Sequence, residues 1–335
     1  MKKIKIVIFL MLFFNLGCKQ LSENHFKKGK AYLMMESYNE AIVEFTKAIE
    51  IDPGFSSAFL YRGKAKSEIE DYEGAILDFT KVIEFNPTDT AAYVRRGYSK
   101  FKLQDYSGAK SDYSKAIIIN PKNAKIYFNR GTAEHRLKEY RNAIADFTKA
   151  INIDSKLAEA YNNRGLSKSE LKDYSGAIDD YNKALKIEPK TASVYNNRGT
   201  VKQAIKDYDG AMGDYNRAVS IDSKYSEAYY NRGVLKSDIE EYNQAILDYS
   251  KAIDYNSNYK DAYQNRGKAK GEIKDFNGAI SDFTKIIEID SNNAEAYFSR
   301  GIMKIIKNEN GCSDLRKALK LGYIRANDVL NEFCQ

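Results

Sequence analysis

Residues 226–257 read SEAYYNRGVLKSDIEEYNQAILDYSKAIDYNS and contain two short apolar patterns separated by a break. From Ala228 to Ile239, small and apolar residues return at the spacing of one face of an α-helix. The segment Glu241-Tyr242-Asn243 interrupts this pattern, and a second one runs from Ala245 to Ile253. The stretch therefore predicts two helices joined by a short turn.

The same pattern repeats along almost the whole chain, and glycine marks its period. Nine glycines are spaced 34 residues apart, at Gly29, Gly63, Gly97, Gly131, Gly165, Gly199, Gly233, Gly267 and Gly301. A constant period of this length indicates stacked helix pairs rather than ordinary globular domains. Because glycine inside a helix costs about 1 kcal/mol relative to alanine, we expect the two helices to approach closely at each glycine. The alanine found twelve residues after most of these glycines is expected to face them from the second helix.

Aromatic residues and proline keep the same period. Phenylalanine or tyrosine stands four residues before the glycine, at Phe59, Tyr93, Tyr127, Tyr161, Tyr195, Tyr229, Tyr263 and Tyr297. An aromatic residue also follows it after nine residues, from Tyr38 through Tyr242 to Phe276, and after sixteen, at Phe45, Phe79, Tyr113, Phe147, Tyr181, Tyr215, Tyr249 and Phe283. The four prolines share one position, at Pro53, Pro87, Pro121 and Pro189. This pattern resembles the tetratricopeptide repeat (TPR) family, whose helix-turn-helix unit has the same length.

The resemblance implies an all-α fold, a right-handed α-solenoid of nine TPR helix-turn-helix repeats with a C-terminal capping helix. Eight repeats span 22–293, and an atypical ninth repeat with the capping helix spans 294–335. We call the first helix of each repeat helix A and the second helix B. In the family, helices A line a concave channel that holds a peptide or a partner helix, and helices B cover the outside. Two family positions differ here, because the usual tryptophan is tyrosine and the usual leucine before the glycine is arginine.

Two charged positions also repeat with the period. Arginine precedes each glycine from the second repeat onward, at Arg62, Arg96, Arg130, Arg164, Arg198, Arg232, Arg266 and Arg300. Aspartate follows the glycine by fifteen residues, at Asp78, Asp112, Asp146, Asp180, Asp214, Asp248 and Asp282. In the first repeat both positions change and keep their signs, to Lys28 and Glu44. This joint change predicts an Arg–Asp contact between helices, within a repeat or to its neighbour. The alternative is a row of arginines that binds a ligand.

The N-terminus differs from the repeats. Residues 1–17 combine a basic start with a short apolar run, as a secretory signal peptide does, and the run is short for a membrane span. Gly17 followed by Cys18 resembles the lipobox of bacterial lipoproteins, although Asn15 stands where an aliphatic residue is usual. The resemblance implies cleavage before Cys18 and its acylation, for example with palmitate, leaving 18–21 as a short tether. The alternatives are a plain cleaved signal or an uncleaved anchor.

Composition argues against several classes of function. The chain has 53 Lys and Arg against 46 Asp and Glu, a net charge of +7 that is low for a nucleic-acid binder of this size. His25 stands in an aromatic position and is interpreted as a packing substitute, and His135 has no second histidine at ligand spacing. Carboxylates recur with the period, so none forms a distinctive catalytic pair. We therefore expect no enzyme activity, no cofactor, no metal site, no small-molecule substrate and no nucleic-acid partner.

The last repeat departs from the period and predicts a cap. The register of its helix B arrives two residues early, Gly322 turns the chain, and a final helix is expected from Ile324 to Phe333. Cys312 and Cys334 lie ten residues before and twelve residues after Gly322. An antiparallel hairpin would place them level, so a disulfide is possible outside the cytoplasm. The alternative is two buried thiols that act as small apolar residues.

Four positions on helix A, six and two residues before the glycine and one and five after it, fall near one helical face, and the resemblance implies that this face lines the channel. In repeats one to four they are mainly basic: Lys27, Lys30, Lys64, Arg95, Lys102, Lys125 and Arg136. In repeats five to nine they are mainly acidic: Glu159, Glu170, Glu227, Asp238, Asp261, Glu272 and Glu295. Asparagine stands two residues before successive glycines, at Asn129, Asn163, Asn197, Asn231 and Asn265.

An asparagine amide both donates and accepts hydrogen bonds, which suits the backbone of an extended peptide. The charge pattern further suggests that an acidic part of a bound segment lies on repeats one to four and a basic part on repeats five to nine. The alternatives are that Asn-Arg-Gly is a common helix A variant and that the charges form a solvated face.

These observations predict a non-catalytic protein–protein interaction scaffold of the bacterial cell envelope, periplasmic or on the outer surface, held by an N-terminal lipid anchor. Its partner would be a protein or peptide bound in the channel. The alternative is a cytoplasmic TPR adaptor or co-chaperone, if the signal peptide is misread. The carboxylate-binding clamp of that class needs lysine three residues before one glycine and asparagine one after it, and none of the nine repeats has this pair.

Overall fold

The computed structural model describes residues 19–334, in which every regular element is a helix. The predicted signal peptide and the lipidation site Cys18 lie outside these residues. The helices are α1 (19–34), α2 (Tyr38–Ile51), α3 (Ser56–Glu68), α4 (Tyr72–Phe85), α5 (Thr90–Lys102), α6 (Tyr106–Ile119), α7 (Ala124–Arg136), α8 (Tyr140–Ile153), α9 (Ala158–Glu170), α10 (Tyr174–Ile187), α11 (Ala192–Ala204), α12 (Tyr208–Ile221), α13 (Ser226–Asp238), α14 (Tyr242–Tyr255), α15 (Lys260–Glu272), α16 (Phe276–Ile289), α17 (Ala294–Ile306), α18 (Cys312–Lys320) and α19 (Ala326–Phe333).

Each repeat is a pair of helices joined by a tight turn. The odd-numbered helices up to α17 are helices A, and the even-numbered helices up to α18 are helices B. The turn after helix A contains a residue in the left-handed region, such as Glu70 at φ 62° or Lys206 at φ 63°. Helix B then begins after a capping residue, and the Asp71 side chain accepts a hydrogen bond of 2.9 Å from the Gly74 N–H. The helix-turn-helix repeats predicted from the sequence are therefore confirmed.

The periodic glycines are required by an aromatic ring on helix B. A Cβ atom at Gly63 would lie 2.8 Å from Phe79 Cε1, and one at Gly97 would lie 2.9 Å from Tyr113 Cε1. Such distances are too short for carbon atoms, so the helices approach closely at these glycines, as expected. The partner is different from the one expected, because the ring sixteen residues later faces the glycine. The alanine of helix B, such as Ala75, is fully buried.

The chain divides into two compact units, which we call unit 1 (Met1–Leu171) and unit 2 (Lys172–Gln335). The boundary follows α9 and falls inside repeat five. In unit 1, Phe45 and Ala41 are buried with Phe26 packed beside them. In unit 2, Tyr249 and Ala245 occupy the same repeat positions in the core. Each unit is thus built on the same buried alanine and aromatic positions.

The C-terminus of unit 2 is capped by a short hairpin. Leu315 and Ala318 of α18 are buried together with Ala326 of α19, and the Phe298 and Tyr323 rings lie 4.7 Å apart. The final helix begins at Ala326, two residues later than expected, because the turn continues through Arg325. A disulfide joins Cys312 and Cys334, with Cα atoms 5.7 Å apart, so the structure contains the bonded form of the two alternatives.

Candidate binding groove

The repeated arginine connects three helices. In repeat two, Arg62 Nε and Nη2 donate to the two carboxylate oxygens of Asp78 on α4, at 2.9 and 2.7 Å. Its Nη1 donates to Thr46 Oγ1 on α2 of the preceding repeat, at 3.1 Å. The guanidinium also lies over the Phe59 ring, with its carbon 5.4 Å from the ring centroid. The guanidinium is thus bonded both within its own repeat and to the preceding one.

The same bidentate bond to aspartate recurs in both units. It joins Arg96 to Asp112, Arg130 to Asp146, Arg198 to Asp214, Arg232 to Asp248, Arg266 to Asp282 and Arg300 to Asp314. The predicted Arg–Asp contact is confirmed. Because these guanidinium groups are bonded inside the fold, the geometry favours their structural role over a ligand-binding row.

In the first repeat, other residues pair with the buried carboxylate of helix B. Glu44 Oε2 is 2.6 Å from His25 Nδ1, and its Oε1 is 2.7 Å from Lys47 Nζ. The Lys47 hydrogen bond, together with that of His25, lowers the pKa of Glu44. Lys28 is exposed, so the expected Lys28–Glu44 contact is replaced by this pairing. His25 is therefore a hydrogen-bonding residue rather than a simple packing substitute.

A lysine three residues after the glycine completes the buried charge pattern. Lys66 Nζ lies 3.0 Å from Asp78, and the pair recurs as Lys100–Asp112, Lys202–Asp214, Lys236–Asp248, Lys270–Asp282 and Lys304–Asp314. Repeat four has Glu134 at this position, and its side chain is only 7% exposed. Its Oε2 has no hydrogen-bond partner among the described residues. Burial, followed by the charge of Asp146, raises the pKa of Glu134 to about 7.

Unit 1 contains a cavity of about 630 Å³ on its helices A. All four of the positions expected to face the channel contribute to its lining, through Glu68, Ala91, Arg95, Tyr98, Lys125 and Asn129. The structure therefore brings three of the proposed groove residues, Arg95, Lys125 and Asn129, to one site. Lys27 is an exposed residue of α1. We call the cavity, together with Lys30, Tyr61 and Lys64 on the preceding helices A, the unit 1 groove.

Cations and aromatic rings alternate in the unit 1 groove. Lys64 Nζ lies 4.2 Å from the centroid of the Tyr61 ring, and Lys30 Nζ lies 5.4 Å from it. Burial lowers the pKa of Lys64, and the nearby charges of Arg95 and Lys30 lower it further. Burial also lowers the pKa of Arg95, while the charge of Glu68 opposes this effect. The unit 1 groove therefore holds several positive charges close to one another.

All five asparagines of the predicted row, Asn129, Asn163, Asn197, Asn231 and Asn265, are half-buried. Some of their amides are bonded to other side chains of the same unit. Asn231 Nδ2 donates to Asn196 Oδ1 at 2.9 Å, and Asn265 Nδ2 donates to the Tyr230 hydroxyl at 3.1 Å. An amide that forms one such bond keeps further donor and acceptor capacity for a peptide.

In unit 2, the acidic residues Glu227, Asp238 and Asp261 are exposed on helices A. Asp238 accepts a 2.7 Å hydrogen bond from Gln203 Nε2 of the preceding helix A. The four helix A positions that were predicted to face the channel do not include the tyrosines beside these acidic residues. Tyr230, for example, lies three residues before its glycine.

The Tyr230 and Tyr259 rings lie 4.9 Å apart. Burial, together with Glu227, raises the pKa of the neighbouring Tyr225 to about 12. The only sequence signal for this cluster is three tyrosines next to the acidic positions.

Residues 19–334 offer few side chains for a metal site or a catalytic site. They contain no group of three or more His, Cys, Asp and Glu side chains arranged to hold a metal ion. His135 Nδ1 lies 2.9 Å from Ser167 Oγ, in a contact between neighbouring repeats. None of the helices in this part of the chain combines the length and apolar character needed to cross a membrane.

Comparison with solved structures supports the fold. The chain is similar to a tetratricopeptide repeat protein from Parabacteroides merdae, with 18% identity, a TM-score of 0.63, and coverage of 75% of this chain and 99% of that one. It is also similar to a chain of the APC/C Cut9–Hcn1 hetero-tetramer, with 14% identity, a TM-score of 0.58, and coverage of 94% and 76%. A third similar structure is PilF of Pseudomonas aeruginosa, with 20% identity, a TM-score of 0.55, and coverage of 62% and 94%.

Family models match most of the repeats. One tetratricopeptide repeat model matches residues 22–55, 124–157, 192–225, 226–259 and 260–293, which together exceed half of the chain. A second matches 158–191, and a TPR repeat model matches 97–138. No curated protein sequence is significantly similar to this chain. The helix pairs, the periodic glycines and these matches lead to one conclusion: the chain belongs to the tetratricopeptide repeat family.

Proposed function

We propose that this chain is a non-catalytic interaction scaffold of the bacterial cell envelope, which binds an extended peptide or helix along its helices A. The carrying observation is the cavity of about 630 Å³ in unit 1, where Arg95, Lys125 and Asn129 converge. A groove with a few convergent polar groups on a rigid helical frame is a typical ligand site. The family and its structural neighbours support a protein partner, and the Cut9–Hcn1 structure is itself an assembly of different chains.

In unit 1, some cationic side chains are bonded within the fold, and others line the cavity and are available to a ligand. The repeated arginines Arg62, Arg96 and Arg130 are bonded to aspartates inside unit 1. Arg95, which immediately precedes Arg96, instead lines the cavity. This alternation gives a rigid wall with polar side chains directed toward a ligand, as a preorganised site requires.

The envelope assignment rests on the N-terminus. A basic and apolar leader followed by Gly17-Cys18 supports export and acylation at Cys18. The Cys312–Cys334 disulfide also suits an oxidising compartment. Growth with labelled palmitate tests this part, because the label should enter the wild-type protein and be lost in Cys18→Ala. Labelling that persists in Cys18→Ala would refute the lipid anchor.

Photo-cross-linking in intact cells tests the groove. A photoreactive amino acid replaces Asn129 or Asn231 on helices A, and matched variants carry it at the exposed helix B residues Lys149 or Lys251. We expect polypeptide adducts from the helix A positions and few from the helix B positions. Adducts that form only from helix B would contradict binding along helices A.

A further inference from the structure

The first repeat of unit 1 exposes a helix face that is covered in the repeats after it. The face includes the positions five residues before the glycine and two residues after it. In repeat two these are Ala58 and Ala65, both fully buried, and the same positions are buried in repeats three to eight. In repeat one they are Asn24 and Ala31, and both are exposed.

Helix B of the preceding repeat covers these positions in the later repeats. Ala65 of α3 lies in one core cluster with Ala41 and Phe45 of α2, and Ala92 of α5 lies in another with Val82 of α4. Because α1 is the first helix of residues 19–334, no described helix takes this place beside it. The exposed side of α1 is thus an inter-repeat surface without its usual neighbour.

This surface is largely apolar over the whole length of α1. We call it the N-terminal face, and by the helical period it contains Leu21, Asn24, Lys28, Ala31, Tyr32 and Met35. Leu21 in the first turn is 49% exposed, and Met35, in the turn that follows α1, is 73% exposed. These two side chains lie roughly 21 Å apart along the helix axis, so both are covered only by a surface that spans the whole helix.

Basic residues accompany the apolar ones. Residues 19–34 contain four lysines against a single acidic residue, Glu23. Lys19, Lys27 and Lys28 are exposed. An apolar helix face flanked by lysines is typical of helices that lie in the interface of an anionic membrane. Lys28, on the face itself, can keep its aliphatic stem against apolar surface while its ammonium reaches a lipid phosphate.

The distance to Cys18 indicates what covers the N-terminal face. Lys19, the first described residue of α1, follows Cys18 directly, and Leu21 is three residues away from it. Three residues span at most about 11 Å, so acylation of Cys18 would hold the start of the face next to the lipid. Cleavage before Cys18 would also leave no earlier segment of this chain to cover it.

The C-terminal end of the chain does not offer a matching apolar surface for a head-to-tail contact with a second copy. In that last repeat, Leu315 and Ala318 of α18 are buried together with Ala326 of α19. The final hairpin therefore already covers the apolar surface there. A lipid surface suits the N-terminal face better, because it matches both the apolar residues and the lysines.

We propose that the N-terminal face of α1 lies flat on an anionic membrane, with Leu21, Ala31 and Met35 between the lipid headgroups and the acyl chains. The later repeats of unit 1 then lie progressively farther from the lipid. This inference rests on the lipid anchor of the proposed function and adds a second membrane contact. The acyl group alone would hold the protein near the membrane, whereas the added contact fixes the orientation of unit 1.

Fluorescence quenching in vesicles measures this contact. The acylated protein with Met35→Cys is purified from membranes, labelled with nitrobenzoxadiazole and placed in vesicles of phosphatidylcholine and phosphatidylglycerol that contain a nitroxide lipid. With Cys18 acylated and Cys312 bonded to Cys334, the introduced cysteine is the free thiol. The matched variants Ile69→Cys and Leu103→Cys carry the label at the same position of repeats two and three, where both residues are exposed.

We expect quenching of the label at residue 35 to be at least about 3-fold larger than at residue 103, with residue 69 between them, because only the first repeat touches the lipid. L21E/A31E should lower the quenching at residue 35 by at least about 2-fold, since two carboxylates would have to leave water. L77E/L247E makes the same charge change at exposed residues of helices B and should leave it unchanged. Vesicles of phosphatidylcholine alone should weaken the quenching at residue 35, because the lysines lose their anionic partners.

Several results would overturn the inference. Equal quenching at residues 35, 69 and 103 in protein that floats with the vesicles would refute the membrane contact and leave the lipid anchor intact. Protein that does not float with the vesicles would refute the anchor, and this inference with it. Equal losses in L21E/A31E and L77E/L247E would show an effect of net charge only. Cross-linking between two Met35→Cys chains, without quenching by the nitroxide lipid, would assign the N-terminal face to a second copy instead.

Discussion

Replacement of Glu134 by lysine should stabilise the protein. Repeats two and three have a lysine at this position that pairs with the buried aspartate, at 3.0 Å in Lys66–Asp78 and 2.8 Å in Lys100–Asp112. Repeat four instead places a second carboxylate near Asp146 and leaves Glu134 Oε2 without a partner in residues 19–334. Glu134→Lys restores the arrangement of its neighbours, and the reciprocal Lys100→Glu should introduce the same defect into repeat three.

The magnitude follows from the pKa. Glu134 has a folded-state pKa of about 7 against an ordinary value of 4.5. Each pH unit between the two values corresponds to about 1.4 kcal/mol, so the charged form costs the fold roughly 3 kcal/mol above neutral pH. The folded protein holds this proton more tightly than the unfolded chain does. The contribution to stability is therefore present below pH 4.5 and is lost as the pH rises through 7.

Urea unfolding followed by circular dichroism at pH 5 and pH 8 measures this term. Between these values the free energy of unfolding of the wild type should fall by about 2–3 kcal/mol relative to Glu134→Gln, in which the group cannot ionise. Glu134→Lys should be the most stable of the three at pH 8, and Lys100→Glu should be less stable than the wild type. A Glu134→Gln variant with the same pH dependence as the wild type would refute the reasoning, as would a Glu134→Lys variant that is less stable at pH 8.

Two further substitutions and one alkylation experiment test other features of the structure. Gly97→Ala should lower the free energy of unfolding by about 1–3 kcal/mol, because the new Cβ would lie 2.9 Å from the Tyr113 ring; calorimetry would show this, and an unchanged melting temperature would contradict the packing argument. Lys206→Gly should raise the free energy of urea unfolding by up to about 1 kcal/mol, since φ is 63° there; a loss of stability would count against this explanation. Alkylation of the unfolded protein without reductant should leave Cys312 and Cys334 unmodified, and two added alkyl groups on these cysteines by mass spectrometry would contradict the disulfide.

The repeat architecture could be predicted because each helix pair carries its own pattern. The spacing from Ala228 to Ile253 defines two helices, and the period carries that assignment through the chain. The Arg–Asp contact could also be predicted, because the two positions change together, to Lys28 and Glu44, in the first repeat. The actual partners of Glu44 could not be predicted, since it bonds His25 and Lys47 through a local geometry that the sequence alone does not specify.

Contacts between repeats were harder to predict. Asn231 bonds Asn196, which is 35 residues away, and the pattern within one repeat cannot show which side chain of the next one lies nearby. The lysine position three residues after the glycine was visible in the sequence, and so was the glutamate, Glu134, that replaces this lysine in repeat four. Its importance appears only when the side chain is seen to be buried beside Asp146. The boundary after Leu171 has no signal, because the period continues through it unchanged.

The bond from each repeated arginine to the preceding repeat affects how a gene for such a protein can change in length. Arg62 bonds Thr46 of the previous repeat, Arg96 bonds Thr80, and Arg130 bonds Ser114, so helix B of each of the first three repeats carries a hydroxyl that suits the arginine of the next repeat. An in-frame loss or duplication of 34 residues joins a hydroxyl to an arginine again, wherever in this region it begins. Unequal recombination can therefore add or remove whole repeats without creating an incompatible junction. The number of repeats can then vary with the length of the partner while each junction keeps the same chemistry.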